Sequence, residues 1–208
     1  MARVSPATPE QFAQVADHMA RWKKTKGYPP NSWLTLVRRP GVFRAYRNLH
    51  TAVMMDEGEV PRALKFMVAH VVSSACGDPY SAAHNAENAA HIARVPIEKV
   101  EALPRFRTSL LFTPAECAAL ELALAAGSSP SLVTDGHFVE LRKHYSEDAI
   151  IEIVAVIALL GWLNRWNVAL ATPLETEAAA FAEKHLAPSG WTAGVHGHTI
   201  PVSRGKTR

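Results

Sequence analysis

Between Arg62 and Arg94 the chain carries two apolar patterns of helical period, joined by one break at Gly77-Asp78-Pro79. Glycine and aspartate suit a turn, and proline suits the first position of a new helix. The break therefore predicts a pair of helices meeting at a short connection. The same period continues on both sides. The spacing predicts helices over roughly Pro9–Lys26, Asn31–Arg38, Val42–Met55, Pro61–Ala75, Tyr80–Arg94, Ala115–Ala126, Asp135–Tyr145, Glu147–Ala171 and Glu175–Leu186. No segment alternates with a strand period for more than a few residues, so the fold class is all-α, a compact helical bundle.

Local punctuation agrees with that pattern. Thr113-Pro114-Ala115-Glu116 reads as a capping box with proline at the first helical position, and Ser146 as an N-cap ahead of Glu147 and Asp148. From Ala187 onward, Pro188, Gly190, Gly194, Gly197 and Pro201 predict a loop or extended arm. The organisation is thus a single domain over 1–186, with a motif core at 61–171, and a C-terminal loop or arm over 187–208.

Composition removes several function classes. With 208 residues, 48% hydrophobic and 20% charged, the chain is long enough for a real core and is neither disordered nor fibrous. Its net charge of +3 is small. The basic residues are scattered apart from Lys23-Lys24, Arg38-Arg39 and the tail at 204–208, so no nucleic-acid partner is expected. The N-terminus lacks an apolar signal region, and Ala149–Leu163 is interrupted by Glu152 and closed by Asn164-Arg165, which predicts a buried helix and no membrane partner. Two cysteines, Cys76 and Cys117, make no disulfide framework and suit a reducing cytoplasm, the expected location.

Reactive groups crowd the break. Ser81, His84 and Glu87 recur at three-residue steps on one helical face, with Asn88 and His91 near it. Asp78 stands just upstream and suits a helix cap. His70 and Cys76 lie on the preceding helix. These groups suit general acid/base chemistry near neutral pH. His84 is the candidate proton carrier, Asp78 or His70 would orient it, and Ser81 would hydrogen-bond substrate. Tyr80, Glu87 and Cys76 are candidate substrate-binding residues. Ser81, His84 and Asp78 also invite a nucleophilic-triad reading, which needs geometry to support it. His70, His84, Glu87 and His91 are metal-ligand types, but no diagnostic spacing is present, so neither metal nor cofactor is expected.

Met67-Val68-Ala69-His70-Val71-Val72-Ser73 followed by Gly77-Asp78-Pro79-Tyr80-Ser81-Ala82-Ala83-His84-Asn85-Ala86 resembles the core motif of the carboxymuconolactone decarboxylase and alkylhydroperoxidase D-like superfamily. Phe112-Thr113-Pro114-Ala115-Glu116, the segment Val133 to Tyr145, and Glu152 through Leu163-Asn164-Arg165-Trp166-Asn167 resemble it too, so the likeness runs from about Pro40 to Trp191. The resemblance implies an all-α fold that assembles into homo-oligomers: dimers, trimers or their multiples. Peroxidatic members carry a Cys-x-Tyr-Cys-x-x-His or related cysteine pair, with a glutamate on the preceding helix. Here Asp78 and Ser81 stand where those cysteines are expected, and His70 stands where the glutamate is expected, while His84 is kept. Serine forms no sulfenic acid and aspartate resolves none, so dithiol peroxidase activity is expected to be absent.

Each feature also has a plain structural reading. Asp78 suffices as a helix cap, and Ser81 as a small first-turn residue. His84 suits a hydrogen-bonded core histidine, and Cys76 and Cys117 suit small buried hydrophobes. Trp162 and Trp166 suit packing or a subunit interface, Asn164 and Arg165 a polar inter-helix contact, and His196 and His198 a tail. Three functions follow: a cofactor-independent acid/base enzyme acting on a small-molecule substrate, a diverged antioxidant protein acting through Cys76, and a non-catalytic oligomeric binding protein.

Overall fold

The computed structural model describes residues 2–20 and 28–197, and among them every regular element is helical. The all-α expectation holds. Six helices position the site: α1 (Pro40–Met54), α2 (Arg62–Ala75), α3 (Pro79–His91), α4 (Pro114–Gly127), α5 (Glu147–Leu170) and α6 (Thr176–His185).

The break at Gly77 makes α2 and α3 an antiparallel hairpin. Gly77 takes φ +68°, a conformation costly for any residue with a Cβ. Asp78 then accepts hydrogen bonds from the backbone N–H groups of Tyr80 (3.1 Å) and Ser81 (3.3 Å), with Pro79 at the first helical position. On α3 the residues Ala82, Ala83, Ala86, Ala89 and Ala90 are all buried, and their small side chains let the two backbones lie close. α2 is buried on nearly every side, because α3, α4 and α5 all pack against it. Where α4 meets α2, a Cβ on Gly127 would stand 2.6 Å from Ala75 Cβ and 2.8 Å from the Val72 carbonyl, so only glycine fits that approach.

The caps at Thr113 and Ser146 form as the sequence predicts. Other segments differ. The predicted helix Pro9–Lys26 is a short helix at Pro9–Ala13, a break at residues 14–15 and a second helical stretch at 16–20; from residue 21 to 26 it lies outside the described residues. Helix Asp135–Tyr145 ends at Leu141. A five-residue helix, Ile97–Glu101, and a 3₁₀ turn, Leu103–Arg105, are too short for a period to reveal. The C-terminal segment is no extended arm as far as residue 197. His196 is buried and returns a backbone bond to Leu174 (2.9 Å), and the Trp191 indole donates to the Pro79 carbonyl (3.1 Å). His198 and the basic tail at 204–208 lie outside the described residues.

α5 is long and apolar enough to cross a membrane by length and composition, but it is a bundle helix here, with Ile150, Ile153, Val156, Leu160 and Leu163 buried. Glu152, in its second turn, is a lock. The carboxylate accepts the backbone N–H groups of Glu59 (2.8 Å) and Val60 (3.3 Å) and pairs with buried Lys65 (3.1 Å). A Cβ on Gly58 would collide with it at 2.4 Å. Burial would raise the Glu152 carboxyl, but these donors bring it below the usual range. Replacing Glu152 by leucine strands a buried ammonium, and denaturant unfolding is expected to show a loss of about 3 kcal/mol. Adding Lys65→Met to Glu152→Leu is expected to restore much of it. Equal stability of the single and double variants would show that the lock is unimportant.

Candidate active site

α3 carries the site. Its N-terminal cap fixes the rotation of the helix, and its period turns Ser81, His84, Asn85 and Asn88 toward one cavity of about 60 Å³. Tyr46, Arg47 and His50 on α1 form the facing wall, and Asn167 on α5 joins them. The cavity is small and partly open to one side.

His84 is 8% exposed and its Nε2 lies 2.5 Å from Glu175 Oε2. Glu175, the N-cap residue of α6, is equally buried. Its other oxygen accepts the Asn31 backbone N–H and the Tyr80 hydroxyl (2.9 Å), while the Tyr80 oxygen accepts the Ser32 N–H (3.1 Å). Burial alone would raise the Glu175 carboxyl, but the charge and hydrogen bond of His84 and the Asn31 N–H hold it below the ordinary value. Tyr80 moves the opposite way: burial and the adjacent Glu175 charge push its phenol well above the usual range. An ionised Glu175 accepts a hydrogen bond from His84 Nε2–H, which orients the ring.

A second polar assembly lies behind Ser81. Asn167 donates to Ser81 Oγ (3.1 Å), Thr172 donates to Asn167 Oδ1 (3.1 Å), and His196 Nδ1 meets the Thr172 carbonyl (2.7 Å). His196 Nε2 stands 3.6 Å from Asp78 Oδ1, with both side chains fully enclosed. The ring closes where Asp78 accepts the Ser81 N–H. Burial raises the Asp78 carboxyl, opposed by Ser81, His196 and Asn167.

The sequence-predicted residues therefore separate. Ser81, His84 and Tyr80 share the cavity. Asp78 caps α3 and faces His196 rather than His84. His70 is not the orienting partner: its Nδ1 bonds the Ala82 carbonyl (2.9 Å), and it borders a separate cavity of about 390 Å³ beside Trp191. Burial lowers its pKa. Cys76 leaves the site as well, because α2 ends there and turns it out to solvent, beside Gly127 and Arg165. Cys117 is half-buried, with its thiol near the Phe106 carbonyl, and burial followed by the charges of Glu116 and Glu121 pushes it up. Neither thiol is the small buried hydrophobe the sequence suggests. Glu87 is buried beside the cavity but outside its wall, accepting the Tyr28 hydroxyl (2.9 Å).

Other residues fall outside the site. His91 is turned to solvent, and no group of three or more His, Cys, Asp or Glu side chains among the described residues is arranged to hold a metal ion. Asn164 makes the inter-helix contact expected of it, accepting from Ser73 (3.0 Å), while exposed Arg165 bonds its own helix at Gly161. Glu175 is the residue that sequence reasoning missed. An acid at a helix start reads as a cap, and nothing local ties it to a histidine 91 positions away.

Comparison with known proteins places this geometry. Residues 40–125 match the carboxymuconolactone decarboxylase family. The debrominase Bmp8 is 34% identical, with a TM-score of 0.80 over 88% of this chain and 97% of Bmp8; its cysteine-to-alanine variant in complex with 2,3,4-tribromopyrrole is equally similar. The uncharacterized protein YnjA of Escherichia coli K12 is 35% identical over 78 residues, which is 38% of this chain and 43% of that protein. The alkylhydroperoxidase AhpD core of a peroxidase-related protein from Ralstonia eutropha JMP134, 23% identical with a TM-score of 0.75 over 87% of this chain and 95% of its own, shares the fold. The chain belongs to the carboxymuconolactone decarboxylase family and has the fold of the alkylhydroperoxidase AhpD core.

Proposed function

We propose that this protein is a cofactor-independent acid/base enzyme of the decarboxylase, isomerase or lyase type, acting on a small organic acid or carbonyl compound. One observation carries the reading: a buried His84–Glu175 pair, 2.5 Å apart, whose imidazole forms part of the wall of a small cavity. In such a pair the carboxylate orients the ring and stabilises the imidazolium that forms when the ring takes a proton. His84 removes a proton made acidic by a neighbouring carbonyl or carboxyl group and returns one at the product carbon. Ser81, held by Asn167, presents a hydroxyl to the same space. Tyr80 positions Glu175 through its hydroxyl.

The family relationship supports an enzyme, and the debrominase relative supports a small ligand in a fold of this kind. The thiol-based alternative has less support, because neither Cys76 nor Cys117 borders the cavity. The experiment is a turnover screen of small organic acids and carbonyl compounds, followed by variants on the active substrate. His84→Asn is expected to lower kcat by about 10²–10⁴-fold, the usual share of a general acid/base, while Cys76→Ser leaves it unchanged. Loss of turnover in both variants, or in Cys76→Ser alone, removes the acid/base assignment.

Glu175 links the site to acid stability. Its carboxyl is held below its unfolded value, so its contribution is complete above the ordinary carboxylate range and is lost as pH falls through the lowered value. Thermal melts of Glu175→Gln should therefore lie below wild type at neutral pH and converge with it on acidification. A gap that stays constant at every pH would contradict the ionised His84–Glu175 pair.

A further inference from the structure

The facing wall of the His84 cavity carries a cation that the acid/base reading does not use. Arg47, on α1, borders the cavity with its guanidinium 4.8 Å over the Trp33 ring and 5.9 Å from that of Tyr46. Burial draws its pKa down, the mark of a charge removed from water. Trp33 is 1% exposed, so the cation rests against a buried aromatic face. His50, one turn along α1 (i+3), borders the same wall, and burial followed by the charge of Arg47 drives its pKa down to about 3, so it is neutral there. Across the cavity the Glu175 carboxylate lies behind His84 and is engaged by His84, Tyr80 and Asn31. The cavity thus has a positive end at Arg47 and a proton-transfer end at His84.

We propose that Arg47 is the specificity-determining residue of this cavity, and that it selects a short-chain carboxylate by the planar fork of its guanidinium. This rests on the reading of the cavity as an acid/base site and narrows its substrate class. A guanidinium presents two parallel N–H donors that match the two oxygens of a carboxylate, a fit that a spherical anion or a neutral amide lacks. The small volume of the cavity, about 60 Å³, favours a short chain behind that carboxylate. With the carboxylate on Arg47, the remainder of the ligand is directed across the cavity toward Ser81 and His84.

Isothermal titration calorimetry at constant ionic strength tests this with sodium propionate, propionamide and sodium chloride as probes, on wild type, Arg47→Met, Arg47→Lys and His84→Asn. Propionate is expected to bind wild type roughly ten- to a hundredfold more tightly than propionamide, the range of a charge-assisted hydrogen bond. Arg47→Met should lose that preference while keeping the wild-type circular dichroism spectrum. Arg47→Lys should recover only part of it, and His84→Asn should keep it. Equal binding of propionate and propionamide, equal binding of chloride, or an undiminished preference in a folded Arg47→Met variant overturns the proposal. So does an absence of propionate binding to wild type. Because His84→Asn separates recognition from turnover, failure here leaves the acid/base assignment standing. Conversely, an Arg47-dependent preference without His84-dependent turnover removes that assignment alone.

Discussion

The carboxylate of Asp78 is the contact on which the site depends most. It is fully enclosed, it satisfies two orphan N–H groups at the start of α3, and it stands opposite His196 from the C-terminal segment. A helix start buried at this depth needs an internal acceptor, since no water replaces one. By capping α3 at that point, Asp78 sets the rotation that carries Ser81 and His84 into the cavity. The same atoms tie the chain end to the bundle through His196, Thr172, Asn167 and Ser81. Helix geometry and site geometry are one arrangement here.

Charge is distributed with a similar economy. Three carboxylates, two of them buried, are each handled differently. Glu152 is lowered by Lys65 and two backbone donors and locks the loop before α2 to α5. Glu175 is lowered by His84 and Asn31 and is paired with the imidazole. Asp78 is raised, because burial outweighs its donors. The contrast follows from what surrounds each carboxylate: Lys65 and His84 lie within 3.1 and 2.5 Å of their partners, whereas His196 is 3.6 Å from Asp78. Glu175 reaches the small cavity through the imidazole of His84, whereas Asp78 borders the cavity beside Trp191.

Much of the fold was legible because helices announce themselves locally. The caps at Thr113, Ser146 and Asp78 and the turn at Gly77 each reside within a few residues of sequence, and all are present. The 14–15 break, the short helix at Ile97–Glu101 and the folding back of Trp191 and His196 were not legible. Short elements have no measurable period, and a loop rich in glycine and proline reads the same whether it packs or extends. At the site, proximity along the chain misled. His70 and Cys76 are close to His84 in sequence, yet α2 turns one toward the Trp191 cavity and the other to solvent.

The sequence by itself determined that the chain is helical, where α2 turns into α3, that the expected dithiol is absent, and that His84 stands on the face after the turn. These depend on period, capping chemistry and residue identity, which are local. Tertiary structure alone decided the partners. Glu175 comes from the start of α6, Arg47 from the middle of α1 and Asn167 from α5, and only their packing around α3 makes a cavity with an imidazole on one wall and a guanidinium on another. The pairing of an imidazole with a carboxylate 91 residues away is a property of the packed bundle, because distance along the chain carries no information about which buried charges will meet.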